Sequence, residues 1–174
     1  MHITRILAAL LTGTLILPTS AADNMKLYGA LVEEPCTIKP GDENIHLDFG
    51  TLVDKYLYTH QRTQSKAFQL QLLDCDTHLG KTVRISFSGT ESLMLPGLLA
   101  LDGGSQEQGV AIGFETSNGQ SLKLNEWSPN NLLSNGNNII LLRAYVQGEP
   151  QAIAQRNIKQ GIFTAIATFV LRYD

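Results

Sequence analysis

The chain is poor in the residues that carry most protein chemistry. Its 174 residues include two cysteines and four histidines, and Asp, Glu, Lys and Arg together make up only 17%. Beyond the N-terminal segment the histidines are His46, His60 and His78, and no two of them share a face of a helix or strand at ligand spacing. The GxSxG elbow, the HExxH pair and the phosphate-cradling GxxxxGK[ST] loop are all missing. The carboxylates are scattered, and no general acid–base pair can be picked out. These absences argue against an enzyme, so no catalytic residue, metal site or cofactor is expected. There is no basic run and no basic stripe interleaved with aromatics, and the net charge is −3, so nothing points to nucleic acid. Past the start of the chain no apolar run is long enough to span a bilayer, and no membrane insertion is expected. No window keeps a helical period over three turns, which limits helix to short turns.

What is present begins with an export signal. Met1 to Arg5 is weakly basic, Ile6 to Leu17 is mostly apolar, and Pro18 to Ala22 supplies small residues. This is the pattern of a signal peptide over residues 1–21, cleaved after Ala21 or Ala22. The remainder, about 150 residues, suits one domain. Cys36 and Cys75 both survive cleavage, and an even count in an exported chain favours a disulfide over two buried thiols or half a metal site.

From Met25 onward the sequence reads as short strands between turns. Met25, Leu27, Gly29 and Leu31 alternate with Lys26, Tyr28, Ala30 and Val32, giving a strand-competent arm over residues 22–32. Cys36 to Ile38, Ile45 to Phe49, Phe68 to Cys75, Val83 to Phe87, Val110 to Phe114, Leu122 to Leu124 and Ile139 to Val146 are further candidates. Tyr56 to Ser65, Asn125 to Asn138 and Gly148 to Lys159 read as connections, and Asn118-Gly119 as a hairpin turn. The most strongly patterned stretch is the last, Gly161 to Asp174. Phe163, Ala165, Ala167, Phe169, Leu171 and Tyr173 line one face of it, and Ile162, Thr164, Ile166, Thr168, Val170 and Arg172 the other. About nine short strands in one exported unit indicate an antiparallel β-sandwich. A terminal strand this apolar also raises the question of what covers its free edge.

Several stretches, in order, resemble the pilin subunits of the chaperone–usher pathway, particularly minor or adaptor subunits of P pili and type 1 fimbriae. They are Gly29 with Pro35-Cys36-Thr37-Ile38, Phe68 to Cys75, Lys81 to Thr90 with Leu95-Pro96-Gly97, Gly109 to Ile112, Asn118-Gly119, Gly136-Asn137 and Ala144-Tyr145. The ending Gly161-x-Phe163-x-Ala165-x-Ala167-x-Phe169-x-Leu171-x-Tyr173 is the most specific of them. The resemblance implies an all-β, incomplete immunoglobulin-like sandwich over residues 33–174, lacking its last strand and carrying one disulfide. It implies an acceptor groove beside the final strand, with Phe163, Ala165, Ala167, Phe169, Leu171 and Tyr173 as the groove and chaperone-binding set. Met25, Leu27, Gly29 and Leu31 would be the groove-facing set of a donated strand. The implied partners are a periplasmic chaperone, an outer-membrane usher and neighbouring subunits. The implied location is a cell-surface fimbrium reached through the periplasm. Asp174 would place a carboxylate where basic residues of a chaperone could anchor it. The reading from a different class is a self-contained exported sandwich that binds a ligand or host receptor through its loops, Asn125 to Asn138 first among them.

Overall fold

Period-two alternation of apolar side chains builds two antiparallel sheets whose inner faces share one core. In chain order the elements are β1 (Thr37–Ile38), α1 (Asp54–His60), β2 (Lys66–Cys75), β3 (Thr82–Ser88), β4 (Val110–Thr116), β5 (Ser121–Leu122), β6 (Asn131–Leu132), β7 (Gly136–Gly148), α2 (Pro150–Gln155) and β8 (Thr168–Tyr173). One sheet has the order β1-β2-β7-β4-β5 and the other β6-β3-β8. The computed structural model describes Tyr28, residues 33–106 and residues 108–174, with Glu33–Asp174 as one unit. The signal peptide and the donor residues Met25, Leu27, Gly29 and Leu31 lie outside the described residues.

The core comes from the strands that the alternation marks most clearly. Leu70 and Leu72 of β2, Val83 and Ile85 of β3, Ile112 of β4, and Leu142, Ala144 and Val146 of β7 are all buried in one cluster. Cys36 and Cys75 form a disulfide, 39 residues apart in sequence, that ties the approach to β1 to the end of β2. Closing a loop of that length stabilises a fold by about 3–4 kcal/mol in the chain-entropy model.

Three expectations change. Tyr56 to Ser65 and Gly148 to Lys159 are not plain connections, because α1 and α2 occupy parts of them. Both helices are under two turns long, too short for a helical period to show. Leu57 anchors α1 in the core, and Pro150 starts α2 at a position where its missing N–H costs nothing. The Ile158 N–H donates to Tyr58 Oη at 3.2 Å, linking the two regions. Asn125 to Asn138 does not hang free as a loop either. It runs along β3, with the N–H groups of Asn125, Ser128 and Leu133 donating to the carbonyls of Phe87, Ile85 and Lys81. The buried Ser128 Oγ accepts from the Ile85 N–H at 3.0 Å. Finally, the ladder of the terminal strand covers only Thr168–Tyr173, although the side-chain alternation runs from Phe163 to Asp174.

Candidate functional site

The half of the terminal strand that lacks a ladder forms one wall of an open groove. β8 pairs with β3 in the register Phe87↔Phe169, Ile85↔Leu171 and Val83↔Tyr173. Thr82 and Asp174 exchange both main-chain hydrogen bonds, at 3.0 and 3.1 Å. In an antiparallel pair such residues alternate with non-bonded ones, so the even-numbered residues of β8 bond to β3. Further up the strand the parity holds. The carbonyls of Ile162 and Thr164 accept from the N–H groups of Gln106 and Asp102, and the Thr164 N–H donates to Ser105 Oγ. The N–H and C=O groups of Phe163, Ala165, Ala167 and Phe169 therefore point the other way, and among the described residues they have no strand beside them.

Across the gap lies Ile45 to Phe49. Its side chains alternate as the sequence suggests, with Ile45, Leu47 and Phe49 half-buried and His46 and Asp48 exposed. It is nonetheless not a strand in a ladder, because no main-chain hydrogen bond joins it to Phe163–Phe169 among the described residues. Contact between the flanks is by side chains, as where the Phe49 and Phe163 rings lie 6.3 Å apart. Between them opens a cavity of about 530 Å³, floored by Phe68, Phe87, Leu99, Ile112, Phe114 and Ala144. A second cavity of about 590 Å³ shares Leu47, Phe49 and Phe163 and extends the first toward Leu57. Phe87 stacks on Phe114 in this floor, with centroids 4.3 Å apart.

Of the residues singled out in the sequence, Phe163, Ala165, Ala167 and Phe169 all line this groove. Each remains half-buried, facing the core with nothing laid over it among the described residues. Leu171 and Tyr173 continue the same face past the cavity, within the β3 ladder. Burial, with the Glu34 carboxylate second, pushes the Tyr173 phenol above its ordinary pKa. Nothing in the sequence singles out the opposite flank or the floor. The alternation of Ile45, Leu47 and Phe49 is visible there, but it does not tell a groove wall from an ordinary strand.

The Asp174 side chain has partners within the chain. Its side-chain carboxylate accepts from Arg84 Nη2 at 2.7 Å and Nε at 3.0 Å, with Arg172 Nε at 3.3 Å. Hydrogen bonding from Arg84 holds the carboxyl below the ordinary aspartate range, so it is already engaged within the chain. Among the described residues the histidines show no shared site. His46 and His78 are exposed, and His60 stacks on Tyr56 at 4.1 Å. A part-buried polar cluster lies elsewhere, where the buried Glu115 accepts from the exposed Arg62 at 3.0 Å and from Ser65 Oγ, with Arg62 over the Tyr145 ring.

The arrangement as a whole is a sandwich with an apolar slot, walled on one side by a strand whose outward main-chain groups have no partner strand among the described residues. Comparison with known proteins agrees with that design. The family model described as fimbrial protein matches residues 25–174. The chain is 31% identical over 167 residues to the major MR/P fimbria protein of Proteus mirabilis, covering 95% of this chain and 92% of that protein. It is 30% identical over 172 residues to the fimbrial adapter PapK of Escherichia coli, covering 95% and 96% respectively. A chain in the solved structure of a chaperone–usher pilus shares the fold, with a TM-score of 0.70 at 23% identity, covering 91% of this chain and 99% of that one. A slotted sandwich built this way, matched along nearly its whole length by fimbrial proteins, places the chain in the fimbrial protein family.

Proposed function

We propose that this structural subunit polymerises by donor-strand exchange, receiving a strand in its groove and donating its own arm to a neighbour. The observation that carries the reading is the main-chain row of Phe163, Ala165, Ala167 and Phe169, without a partner strand among the described residues, above an apolar slot. An extended segment laid there would gain main-chain hydrogen bonds along its length, while alternate side chains enter the slot. Ala165 and Ala167 are small, which leaves room for those side chains. Left empty, the same slot is an exposed apolar edge and an aggregation hazard. A periplasmic chaperone fills it first, and the arm of the next subunit replaces the chaperone at an outer-membrane usher. The fimbria then carries the subunit at the cell surface and contributes to adhesion.

The arm over residues 22–32 supplies the donated strand, with Met25, Leu27, Gly29 and Leu31 entering the neighbour's groove. The domain over residues 33–174 supplies the acceptor. We assign the subunit to a minor or adaptor position. Similarity to the fimbrial adapter PapK supports this, although a major fimbria protein is equally similar. Expression in a periplasm decides the central point. Without a chaperone the mature chain should aggregate or be degraded, and co-expression of the cognate chaperone should rescue it. A mature chain lacking residues 22–32 should still bind the chaperone but fail to insert into a neighbour. A chain that stays monomeric and stable without a chaperone, and takes up no donor peptide, would refute the proposal.

A further inference from the structure

The outer face of the terminal strand carries a second pattern that strand acceptance by the groove does not use. Ile162, Ile166 and Val170 recur every four residues and are 76%, 75% and 49% exposed. β-Branched apolar side chains this exposed on a strand lack the cross-strand neighbours that normally flank them. On the paired side the neighbours are small. Val170 lies opposite Ser86, and Gly89, which has no side chain, packs against the Ile166 carbonyl. Among the described residues no strand lies on the free-edge side of any of the three, where an incoming strand would lie.

We infer that Ile162, Ile166 and Val170 select among incoming strands by pairing with the donor's outward-facing side chains, preferring large β-forming residues spaced by four. The inference rests on the strand-acceptance reading and deepens it. Outward side chains of a strand seated on that edge would stand about 4.5–5.5 Å (Cβ–Cβ) from those of the acceptor strand. The occupant that fits is a donor arm of the kind this chain carries. With Met25, Leu27, Gly29 and Leu31 facing the groove, Tyr28 and Val32 fall outward with that same spacing. The groove would then read one face of the arm, and the isoleucine–valine stripe the other.

The test uses labelled peptides spanning Asp23–Glu33, one native and one carrying Tyr28→Ser and Val32→Ser, so that every groove-facing residue is unchanged. The mature chain is refolded with each, and affinity is read by fluorescence anisotropy. A second chain carries I162T, I166T and V170T, which keep β-branching and remove apolar surface. The native peptide should bind the unaltered chain roughly two- to thirty-fold more tightly than the serine peptide. That ratio should collapse toward one with the threonine chain. Equal binding of both peptides to the unaltered chain would overturn this inference alone. Binding of neither would overturn the strand-acceptance reading and this inference with it. Unchanged peptide preference in the threonine chain, together with loss of self-association, would assign the stripe to lateral contacts between copies and overturn the selection role.

Discussion

Enlarging Ala165 to leucine separates an open groove from a closed core by the sign of its effect. In a packed interior, adding methylenes forces strain and typically costs about 1–3 kcal/mol. Ala165 instead faces a cavity of about 530 Å³. Ala165→Leu adds three carbon groups, and at about 0.8 kcal/mol for each one buried the gain is about 2.4 kcal/mol. Ordering the longer side chain returns roughly 0.5–1 kcal/mol of that. The net expectation is stabilisation by about 1.5 kcal/mol, or a rise in Tm of about 3–6 °C for a chain of this size. The leucine also occupies space that a donor side chain needs, so uptake of a donor peptide should weaken by roughly tenfold or more. Urea unfolding of the disulfide-bonded mature chain reads the first quantity, and peptide anisotropy the second. Destabilisation by about 1–3 kcal/mol with undiminished peptide uptake would refute the reasoning, since it would mean that Ala165 is already packed and is not where strands enter.

Other perturbations test the frame around the groove. Reducing the Cys36–Cys75 disulfide, or replacing both cysteines by serine, should lower the unfolding free energy by about 3–4 kcal/mol in denaturant titrations. Phe87→Ala removes the buried ring that stacks on Phe114, and should cost about 3–5 kcal/mol and weaken peptide uptake by distorting the groove floor. Ser128→Ala leaves the Ile85 N–H without its side-chain acceptor, and should cost about 1–3 kcal/mol in the same titrations. Asp174 has a folded pKa below its ordinary value of 3.8. Its stabilising contribution is therefore fully present above that value and is lost as pH falls through the lowered one. The gap in urea midpoint between the unaltered chain and Asp174→Asn should be constant near neutrality and narrow under acid. A gap that widens under acid would contradict the ion pair with Arg84.

Much of the sandwich is legible in the sequence because its central strands alternate cleanly. Phe68-x-Leu70-x-Leu72 and Val83-x-Ile85-x-Phe87 each bury one face and become β2 and β3. The wall of the groove is legible for the same reason, since the alternation from Phe163 to Tyr173 survives intact as half-buried against exposed. Where the ladder stops is not legible from the strand itself. It stops at Thr168 because β3 ends at Ser88, and a strand cannot show how long its partner will be. The floor is hidden for a different reason. Leu99, Ile112 and Phe114 look like any core residues until the missing layer above them is seen. The ion pair of Asp174 is not legible because Arg84, its partner, lies 90 residues away in sequence. The absence of catalytic motifs is matched by membership of a family of structural fimbrial subunits rather than enzymes.

The central claim is that one edge of the terminal strand waits for another chain. Residue-resolved amide hydrogen exchange on the mature chain, with and without a donor peptide, addresses it directly. The even-numbered amides of Val170 and Arg172, bonded to β3, should be protected in both states. The odd-numbered amides of Phe163, Ala165, Ala167 and Phe169 should exchange rapidly in the free chain and become protected once the peptide is bound. Protection of those odd-numbered amides in the free monomer, unchanged on adding the peptide, would contradict the account.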